Sequence, residues 1–523
     1  MLSATGPGPL EATVLTEALR ARPALFVALG LIAHAALWTA ARTIADPTPA
    51  PEVLIGLALG RESELGYFAG PPLAYWILDI AYVLGGAFAA AALLPALSLA
   101  LTGWLVFAFA RRVLGDRHGA IATLLMVGVH PVAFPVGAFT ADLVQMPLIA
   151  GCVLMWWRVT HDGGRAAPYQ FAALVALTAY GGLQGLCVAL TLAVLAVATR
   201  RGREAFAGLL LITKDRGAAL AGRDALLALI LAMLLAAPRF VWLVWNDFAG
   251  LLPALDSGIE PDAVASAGDV ALQTLAGHIG LLLLVAVASS AAAADRALAP
   301  EFVRAPVARR ALLDVSAIAV VPALLALGLG VAYGVRQPVT AAAPLFLYSG
   351  VLVMLLAPDV VRIHRQRAVT IAALTLLILP PALDPAAALI SPWAGERGRP
   401  TNWPAAAAGR YFTDVFRSRT GLRLEYVIGG AELASAVAFG SPDRPHVFVD
   451  ADPKRAPWID PTRLRQRGAI VVWPVVGLNP APPAELARRL PPLAGEAIVP
   501  LNWVRPGRLD PVRLGWAMIP PAP

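Results

Sequence analysis

The sequence predicts an α-helical polytopic membrane protein with a small α/β domain at its C-terminal end. Three observations carry this. Mean hydropathy is +0.70, with 58% of residues hydrophobic and 14% charged, a balance foreign to a water-soluble domain of this length. Apolar runs of roughly 18 residues or more recur, each able to cross about 30 Å of hydrocarbon. Near Ser391 those runs stop, and Gly, Pro, Arg and Asp rise.

About eleven spans are expected, near 24–41, 86–110, 119–133, 143–158, 168–182, 183–199, 224–245, 270–293, 311–334, 338–357 and 368–390. The stretch 71–86 reads as a juxtamembrane helix, because Pro71, Pro72, Tyr75, Trp76 and Asp79 suit an interface better than lipid. Met1–Glu17 is long, mixed and acidic, without a small-residue cleavage site, so it does not read as a cleavable signal peptide. Cys152 and Cys187 fall inside apolar runs and read as small core hydrophobes. Beyond 391, helices are expected at Pro404–Arg419, Ala431–Ala438 and Pro483–Leu490, with strands at Leu424–Ile428, Val447–Val449 and Ala469–Val472. That alternation is an α/β signature. The expected division is a transmembrane domain at 1–390, its first outer loop at 42–85, and a soluble domain at 391–523.

Charge sets the orientation. Basic residues gather in alternate loops: Arg20/Arg22, Arg111/Arg112/Arg117, Arg158/Arg165, Arg200 to Arg223, Arg296 to Arg310, and Arg362/Arg365/Arg367. The intervening loops hold Asp46, Glu52, Glu62 and Glu64 early, then Asp247, Asp256, Glu260 and Asp262. The positive-inside rule makes the basic loops and the N-terminus cytoplasmic. An odd number of spans then puts 391–523 outside. The net charge of +7 belongs to this pattern, and no nucleic-acid partner follows from it.

Polar residues in such a chain need a reason. Gly60–Trp76, GRESELGYFAGPPLAYW, sets charges and aromatics beside a proline break at the lip of a span. It reads as the edge of an active site, with Tyr67, Pro71, Pro72 and Trp76 against substrate. Glu52 and Asp46 are candidate general bases or metal ligands, and equally solvated loop charges. Asp142, framed by Pro131, Pro135 and Pro147, is a third catalytic candidate or a cap for the following helix. His130 reads as an interfacial histidine, or as a ligand or base. In Pro238–Asp247, PRFVWLVWND, Arg239 can hold a phosphate bidentately beside Trp242, Trp245 and Asp247. The tryptophans also fit an interfacial belt. Arg336 has the same standing, with fewer neighbours to support it. Asp314 reads as a local partner of Arg309 and Arg310, and His34 lies at a span edge. No HExxH, CxxC, Walker A loop, GxSxG elbow or Rossmann fingerprint occurs, which excludes ATP-driven pumps and the common soluble-type hydrolases.

The run Gly66-Tyr67-Phe68, Pro71-Pro72-Leu73 and Trp76 resembles the loop signature of C-type membrane glycosyltransferases. The nearest match is the protein O-mannosyltransferase and lipid A aminoarabinose transferase group, including rhizobial galacturonosyltransferases. Thr140-Ala141-Asp142 with Pro147-Leu148 is similar to its second outer-loop motif, and Pro238 to Phe248 to its P-x-x-x-W-L-x-x-x-D-F segment. Arg399-Pro400-Thr401-Asn402 and Ser441-Pro442-Asp443-Arg444-Pro445 resemble the outer domain of alphaproteobacterial members. The family's loop acid falls, by ungapped spacing, on Glu52. Val53 and Ile55 stand where a second acid would be, and Ala69-Gly70 replaces the polar pair before Pro-Pro. Asp46 takes the acid's place only if the loop is shifted.

The resemblance implies a C-type fold in a bacterial inner membrane. It implies transfer of a sugar, with inversion, from a polyprenyl-phosphate donor to an outward-facing lipid, glycan or protein acceptor. No nucleotide is needed, and some relatives hold a divalent metal near the loop acids. Two other readings stay open: a lipid-carrier or solute transporter, and a non-catalytic relative that binds lipid-linked sugars.

Overall fold

A computed structural model describes residues 10–134, 137–162, 164–199, 216–246, 248, 263–289, 301–332, 342–363, 365–394, 398–475, 481–490 and 493–522. Helices dominate, because a bilayer offers no water to a free backbone group. Among the described residues, seven helices are long and apolar enough to cross: Pro23–Ala45, Leu73–Leu114, Ala141–Asp162, Arg223–Trp245, Ala267–Ser289, Arg309–Leu329 and Gln366–Ala394. Leu183–Ala198 and Ala343–Leu356 are apolar but shorter. The chain resolves into two compact units, one of Met1–Trp38, Ala96–Val136 and Asp142–Pro381, the other of Thr39–Pro95, Gly137–Ala141 and Ala382–Pro523.

In the first unit, two expected spans are broken. The run near 119–133 becomes a helix at Asp116–Leu124, a 3₁₀ turn at Leu125–Gly128 and a single turn at His130–Ala133. The run near 270–293 is cut between Ala263–Ala276 and Ile279–Ser289. The two breaks meet: His130 N–H donates to the Gly277 carbonyl at 2.8 Å, so each supplies a partner for a group the other leaves over. Only glycine fits at the crossing. A Cβ on Gly128 would lie 2.5 Å from the Leu281 nitrogen, and one on Gly280 would lie 2.5 Å from the Gly128 carbonyl. Elsewhere Phe109 meets Trp157 and Tyr348 edge-on at 5.5 and 5.4 Å. Antiparallel β1 (Glu301–Val303) and β2 (Val360–Arg362) close one end. There Arg304 donates to the Met354 and Ala357 carbonyls, which the helix Ala343–Leu356 leaves unbonded.

The second unit joins the loop that follows Pro23–Ala45 to the C-terminal tail. The apparent rod Leu73–Leu114 is interrupted at Gly85 (φ −151°) and Gly86 (φ +66°), which separates the expected juxtamembrane helix from the span after it. The loop itself differs from expectation. Pro51–Gly60 is a helix, with Pro51 opening it, Glu52 in its first turn and Val53, Leu54 and Leu57 buried. Leu54 packs with Ala405 and Ala436.

The tail folds as expected from 404 to 490, with additions. Strands β3 (Tyr426–Gly429), β4 (His446–Val449), β5 (Ala469–Pro474), β6 (Val499–Leu501) and β7 (Val512–Ile519) form one sheet in the order β4-β3-β5-β7-β6. β3 runs parallel to β4 and β5, and β7 antiparallel to β5 and β6. Strand alternation divides the core. Val427, Ile470 and Val472 face Phe412 and Phe416 of the helix Ala405–Thr420, while Ile428, Val471 and Trp473 face Ile459 and Leu486. β6, β7 and the helix Pro461–Arg467 were not expected. β7 carries Gly515 in its interior, where a Cβ would sit 2.2 Å from Trp473 Nε1, and β6 is an edge strand containing Pro500. The short helix did leave a signal: Asp460 accepts from Thr462 N–H at its cap, ahead of Pro461.

Candidate functional site

The loop candidates belong to the second unit. Glu52 is exposed and makes no hydrogen bond or ion pair among the described residues. Asp46 is placed differently. It and Asp384 both reach Arg42, at 3.4 and 3.3 Å, and Arg399 closes on Asp384 at 3.0 Å. Gly137 covers this cluster, since a Cβ there would lie 2.5 Å from Arg42 Nη1. Two guanidinium groups already neutralise the two carboxylates. That donor set does not fit a divalent cation, and no group of three or more His, Cys, Asp or Glu able to hold a metal occurs among the described residues.

Tyr67 is buried, edge-on to Tyr75 at 5.3 Å and to Trp458 at 5.8 Å. Its hydroxyl accepts from Glu64 N–H at 2.9 Å, and burial pushes the phenol up to about 12. Burial, then the neighbouring Glu62, raises the Glu64 carboxyl above its ordinary range. Trp76 Nε1 donates to the Glu64 carbonyl at 3.1 Å, and Pro72 caps the helix beginning at Leu73. Pro71 and Pro72 thus turn the chain under this aromatic group. Arg61 and Glu62 point to the sheet: Arg61 donates to the Arg444 carbonyl, and Glu62 meets His446 Nδ1 at 2.7 Å.

The other candidates belong to the first unit. Asp142 lies in the first turn of the helix Ala141–Trp157, where a carboxylate complements the positive helix end. Gln184 Nε2 donates to its Oδ1 at 3.3 Å, Gln145 Nε2 donates to Gln184 Oε1 at 2.7 Å, and Gln145 Oε1 accepts from Gly185 N–H at 2.8 Å. The amides therefore fix the carboxylate's orientation. Arg239 is fully buried in the helix Arg216–Trp245, its guanidinium 4.8 Å from the Trp242 ring centre. Trp245, by contrast, is 81% exposed, as an interfacial tryptophan would be. His130 is exposed and stacks on Phe134 at 5.6 Å. Asp247 and Arg336 lie outside the described residues.

Two features escaped the sequence reading. Gln145 and Gln184 are amides inside apolar runs, and Asp384 is an acid within an expected span. Each was a visible signal, because polar groups at membrane depth need partners.

Residues 69–242 match the family described as dolichyl-phosphate-mannose-protein mannosyltransferase. The fold is similar to that of ArnT from Cupriavidus metallidurans bound to undecaprenyl phosphate (15% identity, TM-score 0.56, 95% of this chain and 99% of that chain). The apo state of the same protein gives a TM-score of 0.55 at the same identity and coverage. An oligosaccharyltransferase of Archaeoglobus fulgidus is a looser likeness (14% identity, TM-score 0.40, 85% of this chain and 69% of that one) and carries no argument. No curated protein sequence matches.

Proposed function

Since the chain has the fold of the C-type membrane glycosyltransferases and a mannosyltransferase-family segment at 69–242, we propose that it moves a sugar from a polyprenyl-phosphate carrier to an acceptor on the outer face of the membrane. The acceptor hydroxyl or amine attacks the anomeric carbon, the bond from that carbon to the phosphate oxygen breaks, and the carrier phosphate leaves as a stable anion. The acceptor's proton passes to a carboxylate. Glu52 is the base this reading prefers, because its carboxylate is exposed and unengaged among the described residues, whereas Asp46 is held by Arg42. Arg239 supplies charge of the sign that a departing phosphate needs. Asp142, oriented by Gln184, is the second carboxylate. ArnT's complex with undecaprenyl phosphate supports the donor class. The Arg399–Asn402 and Ser441–Pro445 runs support an alphaproteobacterial-type member acting on envelope glycolipid, with the N-terminus cytoplasmic and 391–523 outside.

The observation that carries this reading is Asp142, a carboxylate oriented by buried amides inside the family-matched segment. The test is mass spectrometry of envelope glycolipids and glycoproteins from a deletion strain complemented by wild type, Glu52→Ala, Asp142→Ala or Asp46→Ala at equal membrane levels. Loss of a sugar-sized mass, restored by wild type but not by Glu52→Ala, supports the assignment. Restoration by Glu52→Ala moves the base to Asp142 or Asp46.

One observation favours a lipid-carrier or solute transporter: two interrupted helices that meet. Against it, the breaks bond to each other through His130 and Gly277. A deletion that changes no glycan would put that reading, or the non-catalytic one, ahead.

A further inference from the structure

At the opposite end of the helix Ala141–Trp157 from Asp142, about 23 Å away along its axis, a cavity of about 780 Å³ opens between the ends of four helices of the first unit. Its walls come from the last turn of Leu94–Leu114, from the first turn of Asp116–Leu124, from Trp157 and His161, and from the segment 303–314. We propose that this cavity binds a phosphate-bearing anion, independently of the transferase site.

Charge is the first argument. Arg111, Arg112, Arg117, Arg304 and Arg310 line the cavity against the carboxylates of Asp116 and Asp314. Three of the arginines are engaged. Arg304 is held by Asp359 and the Met354 and Ala357 carbonyls, Arg111 pairs with Asp116 at 2.9 Å, and Arg112 pairs with Asp162 at 2.9 Å. Two remain to meet a ligand. Arg117 uses only its Nε, on the Arg20 carbonyl at 3.2 Å, and Arg310 has no partner among the described residues. Arginine's planar fork matches phosphate oxygens.

His118 is the second, independent argument. It lines the cavity, is 1% exposed, and its Nε2 has no hydrogen-bond partner among the described residues. Burial, then Arg304, holds its pKa down to about 4. At neutral pH the ring is therefore uncharged and offers one hydrogen bond. A buried orphan of this kind needs a partner, which a bound anion or the water it orders provides.

The phosphate has two sources: the headgroup of an anionic phospholipid, or free phosphate from solution. Leu313 and Trp104, 62% and 40% exposed on two of the cavity's helices, give an acyl chain apolar surface to follow. Basic pockets between membrane helices suit such headgroups.

Native mass spectrometry of the purified full chain with phosphatidylglycerol or phosphatidylcholine, beside melting temperatures in millimolar inorganic phosphate, tests this. Retention of phosphatidylglycerol over phosphatidylcholine, weakened about thirty-fold in Arg117→Ala/Arg310→Ala but not in Arg165→Ala, assigns the headgroup. A phosphate-induced rise in melting temperature that the double variant loses assigns the free anion. Neither response in wild type, or a double variant that binds like wild type, overturns the proposal. Should the double variant melt early in phosphatidylcholine, the exposed single change Arg310→Glu gives the same readout without disturbing Arg117.

Discussion

Each of the two units is held together internally by its own chemistry. In the first, backbones approach through glycine, as at Gly128 and Gly280, and polar side chains bond to each other, as Gln145 does to Gln184. In the second, ion pairs and strand alternation dominate: Arg42 with Asp46 and Asp384, Glu62 with His446, and Asp443 with Arg417 and Arg423. Lipid gives no hydrophobic reward for bringing apolar helices together, so close packing and internal hydrogen bonds do that work. Water does reward burial, and it leaves charged groups free to pair at the rim. A charged motif residue in the second unit is therefore more often a clamp than a reagent.

That contrast can be broken in stated ways. The largest expected effect is chemical. Glu52→Gln removes an exposed, unclamped carboxylate and should cut sugar transfer by about 10²- to 10⁴-fold with the melting temperature unchanged. A matching fall in thermal stability would make Glu52 another clamp. Next comes Gly128→Val, whose added atoms strike backbone that cannot rotate away. It should cost about 3 kcal/mol, seen as early loss of the monodisperse peak on heating in detergent, while peptides from β3 to β7 keep their hydrogen-exchange protection. Asp443→Asn reverses the pattern. Its buried carboxylate accepts from Arg423 Nε at 3.2 Å and Leu424 N–H at 3.0 Å, as well as from Arg417. Losing that should cost about 2 kcal/mol, with faster exchange confined to Ala405–Thr420 and the sheet.

Acid gives a gentler version of the same change. Burial opposes ionisation of Asp443, but the hydrogen bonds from Arg417, Leu424 N–H and Arg423 outweigh it and hold its pKa below the usual carboxylate value. The stabilisation is complete above the unfolded pKa of about 3.9 and is lost as pH falls through the lower folded value. Exchange in the sheet should thus rise below about pH 4 in wild type, and Asp443→Asn should show no such rise. Smallest is Gln184→Ala, which frees Asp142 from one neutral donor at about 1 kcal/mol. It should lower transfer by roughly tenfold without altering the sheet's exchange.

How much was legible follows the same division. The sheet's first three strands and their helices could be read because alternation and amphipathicity are local properties of the sequence. Glu52, Asp142 and Arg239 stood out as polar groups that a membrane chain must justify. The helix Pro51–Gly60 was missed because its ten residues are too few for a span and the charges after them suggested a loop. The clamps were beyond reach for another reason: Arg61 meets Arg444 across 383 positions, and Gln145 meets Gln184 across 39. Which charges pair is decided by topology, and no local periodicity records it. The SPDRP run shows the cost. Asp443 and Arg444 drew notice as a family signature, yet their geometry is that of a corner, with Arg444 over the Tyr82 ring at 4.5 Å and 3.6 Å from Asp79.

The clamp between Arg61 and Arg444 also bears on how the chain is made. Ribosomes add roughly 5–20 residues each second, so Arg61 is synthesised about 20–80 s before Arg444 exists. Through that interval Leu54, destined for Ala405 and Ala436, lacks those partners, while Gly56 and Gly60 already lie against Tyr75 and Leu78 of the next helix. The newborn protein therefore carries this helix packed on one side only, and its completion waits on the last quarter of the message.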